Sequence, residues 1–104
     1  MDSKSKPSWY VEITRRTAKE KNKLPVSIQQ QVLALLKELE TRGPLRSNWA
    51  NFGPLHKGKR IPSSAFHCHL KKGKPTFVAC WRIISKKEKW IEVYYVGTHE
   101  NASY

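Results

Sequence analysis

The 104-residue sequence predicts an α+β domain. The order is an N-terminal strand, a two-helix hairpin and an antiparallel three-stranded meander, with the helices packed on one face of the sheet. Three observations predict it. Ile28, Val32, Leu35, Leu36 and Leu39 recur at i, i+4, i+7, i+8 and i+11, the spacing of one helix face. The run Phe66 to Val96 is β-branched and aromatic, and two short polar turns interrupt it. An isolated aromatic and β-branched segment, Trp9 to Ile13, precedes the helices.

In chain order, residues 1–8 read as a frayed leader. Thr14 is placed to cap a polar first helix from Arg15 to Lys23, whose basic residues face solvent or a partner. Pro25 suits the start of the second helix. Gly43-Pro44 ends it, with Gly43 free to take a left-handed conformation and Pro44 unable to continue. Arg46 to Arg60 is a long irregular connection. Its aromatics, Trp49 and Phe52, are either anchors in the core or stacking platforms for bases, and anchoring is the commoner role. Three strands then follow, Ile61 to Lys71, Thr76 to Ser85 and Trp90 to Gly97, joined by turns at Lys72–Pro75 and Lys86–Lys89.

The length suits one domain with one modest core. No apolar run approaches the roughly 20 residues of a membrane span, and no apolar segment follows the N-terminal charges, so a cytoplasmic protein is expected. Cys68 and Cys80 fit reduced, core-type residues, and the absence of a CxxC spacing argues against a zinc ribbon.

Charge is the strongest compositional feature. Twenty Lys and Arg face eight Asp and Glu, for a net charge of +12. From Thr41 to Lys87 there is no acidic residue, while Arg42, Arg46, Lys57, Lys59, Arg60, Lys71, Lys72, Lys74, Arg82, Lys86 and Lys87 are all basic. Segregated charge of this kind suits a polyanion such as nucleic acid better than it suits mere solubility.

Inside that block lies Phe66-His67-Cys68-His69-Leu70. Alternation along a strand puts His67 and His69 on one face, about 6.5–7 Å apart, and Phe66, Cys68 and Leu70 on the other. Two such imidazoles can flank a phosphodiester or hold a metal ion. His99 follows the last strand as a third imidazole, and His56 sits in the basic loop.

Three stretches resemble the RelE/ParE superfamily of bacterial type II toxins typified by RelE, HigB and YafQ. They are Phe66-His67-Cys68-His69-Leu70-Lys71, Phe77-Val78-Ala79-Cys80-Trp81-Arg82-Ile83 and Tyr95-Val96-Gly97-Thr98-His99, with Tyr104 close behind. The resemblance covers nearly the whole chain. It implies an endoribonuclease that enters the ribosomal A site, cleaves mRNA and is blocked by a cognate antitoxin. The implied reaction needs no metal or other cofactor: the ribose 2′-oxygen attacks the adjacent phosphorus. It requires a base, cationic stabilisation and an acid for the leaving 5′-oxygen.

By position, the resemblance assigns catalysis to His67, His69, His99 and Tyr104. RNA phosphates fall to Lys57, Lys59, Arg60, Lys71 and Arg82. His67 or His69 would be the base and His99 the acid. Val78 stands where many relatives carry an arginine, so phosphate stabilisation would pass to Arg82 or a lysine. Two other readings stay open: a non-catalytic basic binding module, such as the gyrase-poisoning ParE branch, and a three-histidine zinc site. The latter has no nearby carboxylate to orient its imidazoles.

Overall fold

The computed structural model describes residues 8–55, 64–71 and 73–102. Strand β1 (Tyr10–Ile13) leads into helices α1 (Arg15–Lys21) and α2 (Val26–Arg42). Strands β2 (Gly53–Pro54), β3 (Ala65–Lys71), β4 (Phe77–Ser85) and β5 (Trp90–Thr98) follow, and a 3₁₀ turn, His99–Asn101, closes the described chain. The five strands form one sheet in the order β1-β5-β4-β3-β2. The expected meander is β3-β4-β5, antiparallel throughout. β1 joins it parallel to β5, from Tyr10 opposite Trp90 to Ile13 opposite Val93.

Thr14 caps α1 as its position suggests, its hydroxyl accepting from the Thr17 amide at 3.1 Å. The helix ends at Lys21, two residues early, with the Asn22 backbone amide closing it. Thr17 is its only buried residue, in keeping with a helix that offers the core little apolar surface. α2 is different: Ile28, Val32, Leu35 and Leu39 are all buried, and Leu36 packs against the cluster they form. Opposite them lie Cys68 and Leu70 of β3, Phe77, Ala79 and Trp81 of β4, and Ile91, Val93 and Val96 of β5. One face of the sheet is therefore sealed by α2.

Gly43 ends α2 with φ of +91° and ψ of −175°, a positive φ with extended ψ rather than the left-handed helical pair. A side chain here would also meet the Trp9 indole, whose Nε1 lies 3.0 Å from the place of a Cβ. The start of the chain is tied to the same helix end, since the Ser8 and Trp9 amides both donate to the Glu40 carbonyl.

The connection after α2 is more ordered than its composition suggests. Glu38 Oε1 accepts from Asn48 Nδ2 at 2.8 Å, from Trp49 Nε1 at 3.0 Å and from the buried Arg46 guanidinium at 3.2 Å. Arg46 Nε donates to the Gly43 carbonyl, so one arginine braces the loop on the helix. Phe52 stacks on Phe66 and Trp81, with ring centroids 5.7 and 6.0 Å apart. Trp49 and Phe52 are thus loop anchors.

β2, inside this loop, was not expected. Two residues show no periodicity, and a proline is compatible with a strand only at an edge, where β2 lies. β3 is Ala65–Lys71, and residues 61–63, where the sequence places the start of this strand, lie outside the described residues.

Candidate active site

The face of the sheet opposite α2 carries the histidines. Register defines its rows. His67 pairs with Cys80 and Cys80 with Tyr95; His69 pairs with Val78 and Val78 with Gly97; Ala65 pairs with Arg82 and Arg82 with Glu92. Because side chains alternate, all of these share one face, while Cys68, Ala79 and Trp81 point into the core. Cys68 and Cys80 therefore lie on opposite faces of the sheet. Both are free thiols, and burial pushes each up to about 12, so neither is a nucleophile near neutral pH.

The three histidines form a continuous row. The His67 and His69 rings have centroids 6.3 Å apart, and those of His69 and His99 are 5.8 Å apart and nearly perpendicular. β3 positions the first two. His99 is placed by the 3₁₀ turn after β5, and its amide donates to the carbonyl of Thr76, the residue before β4. The turn carries the imidazole back across the sheet towards β3.

His67 is held most firmly. Its Nδ1 lies 3.1 Å from the Gly53 carbonyl of β2. A carbonyl oxygen only accepts, so Nδ1 carries the hydrogen and Nε2 carries the lone pair. Burial lowers the His67 pKa below its ordinary value of 6.5; the Gly53 bond works against this and the neighbouring His99 adds to it. The net result favours neutral imidazole. His69 is half-buried, and His99 is exposed.

The other expected residues divide. Lys71 is exposed at the end of β3, opposite Phe77, which itself pairs with Thr98, so it shares the His99 end of the sheet. Arg82 lies on the histidine face but towards the opposite end, and its Nε donates to Glu92 Oε1 at 3.0 Å. The run without acids is thus not without acids in space: Glu38 reaches Arg46 and Glu92 reaches Arg82. His56, Lys57, Lys59, Arg60 and Tyr104 lie outside the described residues.

Two neighbours of the row escaped the sequence reading. One is the Gly53 carbonyl, a backbone group with no sequence signature. The other is Tyr95, whose hydroxyl donates to the Thr98 carbonyl at 2.7 Å. Its side of the sheet is concealed by a bulge, since Cys80 faces Tyr95 while Trp81 faces Val93, leaving Tyr94 as an extra residue. Burial raises the Tyr95 pKa above its usual value, the bond to Thr98 opposing it, so the phenol stays protonated near neutrality. Among the described residues no cluster of three or more His, Cys, Asp or Glu has a geometry that could hold a metal ion.

This arrangement of strands and helices has known counterparts. Escherichia coli toxin RelE, as a mutant in the free state, superposes with a TM-score of 0.63 at 17% identity, over 90% of this chain and 86% of that one. The fold is that of the RelE toxins. RelE in the archaeal RelE–RelB complex of Pyrococcus horikoshii matches at a TM-score of 0.61 and 16% identity, over 91% of this chain and 99% of that one. A metal-bound toxin from Helicobacter pylori matches at 0.59 and 21% identity, again over 91% and 99%. No family profile and no curated protein matches the sequence. The RelE fold expected from the three motifs is therefore borne out by structure rather than by sequence similarity. Among the described residues no helix is long and apolar enough to cross a membrane.

Proposed function

We propose that the protein is the toxin of a toxin–antitoxin pair and an endoribonuclease that cleaves mRNA, in association with the ribosome, by attack of the 2′-oxygen on the adjacent phosphorus. The observation that carries this reading is the row His67–His69–His99 on an open face of a RelE fold, in a chain of net charge +12.

In this reading His67 is the base. Its tautomer leaves Nε2 as the acceptor, and its lowered pKa keeps it neutral at physiological pH. His99 is the acid that protonates the leaving 5′-oxygen, being exposed and at the far end of the row. His69 lies between them, where an imidazole N–H donates to the non-bridging phosphate oxygens. Lys71, at the same end as His99, holds the backbone, with Lys57, Lys59 and Arg60 of the loop and Tyr104 as further members. Arg82 contributes less, because Glu92 already shares its charge. A cognate antitoxin protein blocks the face. The E. coli and P. horikoshii RelE structures that bear the same fold include complexes with RelB.

The test is cleavage of a defined mRNA, with and without ribosomes, by wild type and His99→Ala. Loss of a general acid lowers the rate by about 10²–10⁴-fold. Full activity in folded His99→Ala would remove it from the site, and absence of cleavage by the wild type in both settings would overturn the enzyme reading. The pH profile is a second check. The base acts only when neutral, and its pKa lies below 6.5, so the acid-side half-point of kcat/KM falls below pH 6.5.

A further inference from the structure

β1 covers only the first part of β5, ending with Ile13 opposite Val93. Beyond that point α1 runs beside β5 in place of a strand, and a cleft of about 540 Å³ opens between them. Arg16 and Glu20 of α1 line it from the helix, Tyr95, Gly97 and Thr98 from β5, and Cys80 from β4. This is the neighbourhood of the histidine row. Cys80 pairs directly with His67, and Gly97 lies two strands from His69, with Val78 between them. Thr98 immediately precedes His99.

We propose that this cleft is a base-recognition subsite, which takes the nucleobase of a nucleotide flanking the one cleaved. The inference rests on the ribonuclease reading and adds a specificity element to it. Its lining chemistry separates a base from a phosphate. A phosphate site would gather cations, whereas here the carboxylate of Glu20 stands one helical turn from the Arg16 guanidinium. A carboxylate repels phosphate, but it accepts from the ring or exocyclic N–H groups of a base, while a guanidinium donates to base carbonyls and ring nitrogens. Glu20 is exposed, and among the described residues its one ion pair is a loose one, 3.8 Å from Lys23 Nζ, which a base can replace at little cost. The Tyr95 ring lines the wall, with its hydroxyl fixed on the Thr98 carbonyl, and offers an aromatic surface at a set height.

The experiment uses 2′-O-methyl RNA hexamers, which the enzyme cannot cleave by 2′-attack, with a single abasic site walked along the sequence. Removing a base leaves every phosphate in place. Wild type is expected to lose about tenfold in affinity at one position and little elsewhere. In Arg16→Ala and Glu20→Ala, each checked for an unchanged thermal midpoint, the intact hexamer should bind about as weakly as the abasic one binds wild type. The position effect should then vanish. A flat walk in wild type, or a position effect that survives both substitutions, overturns the subsite while leaving the ribonuclease proposal standing. No measurable binding of any hexamer, together with no cleavage on or off ribosomes, overturns both.

Discussion

The two faces of the sheet are built from the same strands and obey opposite rules. On one, Cys68, Ala79, Trp81, Val93 and Val96 are sealed under α2 and are at most 2% exposed. On the other, one residue along in each strand, His67, His69, Arg82, Glu92 and Tyr95 stand half-buried around a buried floor of Ala65, Val78 and Cys80. A single-residue offset thus separates an apolar layer from one in which ionisable side chains stand around a small buried floor. Even the polar contacts differ. Trp81 Nε1 reaches through the core to the Pro44 carbonyl at 3.1 Å and fastens the loop to the sheet. The histidine face has contacts that orient side chains, such as Gly53 on His67 and Thr98 on Tyr95.

That division is broken most severely by substitutions on either side of it. Trp81→Ala removes the largest fully buried side chain and its bond to Pro44, and should cost about 3–5 kcal/mol in urea unfolding. His67→Ala should cost less than about 1 kcal/mol, yet lower mRNA cleavage about 10²–10⁴-fold. If the histidine variant unfolded as readily as the tryptophan variant, the two faces would not be separable in this way.

The sequence shows one face more completely than the other. The α2 stripe and the β3 alternation are legible because burial demands a period, and both appear where the spacing places them. The three motifs also put His67, His69 and His99 on one surface. What the sequence conceals has a common cause: it depends on one chain segment meeting another. The Gly53 carbonyl has no residue-specific mark. Tyr95 is hidden by a bulge that resets the alternation. Arg46 reads as part of a cationic block, but is a buried brace for the loop, because its counter-ion lies eight residues upstream in α2.

The Glu38 cluster is the next largest test, since it joins the core side to the loop that bears Gly53. Burial alone would raise the Glu38 pKa, but hydrogen bonds from Asn48, Trp49 and Arg46, with the Arg46 charge, outweigh it and lower the net value below 4.5. Glu38→Ala strips Arg46 of its partner and should destabilise by about 2 kcal/mol, at the low end for such pairs because the carboxylate is partly exposed. The pH dependence has a definite sign. A folded pKa below the unfolded one contributes stability that is complete above about pH 4.5 and is lost as the pH falls through the folded value. Thermal melts of wild type and Glu38→Gln should therefore converge on acidification, and parallel curves would count against the cluster.

The smallest effect asks how rigid the histidine face is. A Cβ at Gly97 would lie 2.6 Å from the Tyr95 hydroxyl and 3.0 Å from its Cζ, so the phenol rests on the space that glycine leaves. Gly97→Ala can be accommodated only if the ring swings aside and gives up the Thr98 carbonyl, at a cost of about 1 kcal/mol. Tyr95→Phe removes the clashing oxygen and the same hydrogen bond together. In that background the added methyl should cost less, and a double-mutant cycle should show a coupling of at least about 0.5 kcal/mol. Additive costs would mean that Tyr95 moves freely. A mobile ring could not set the height of the cleft beside His99, so additivity would weaken the base subsite while leaving the core face as it is.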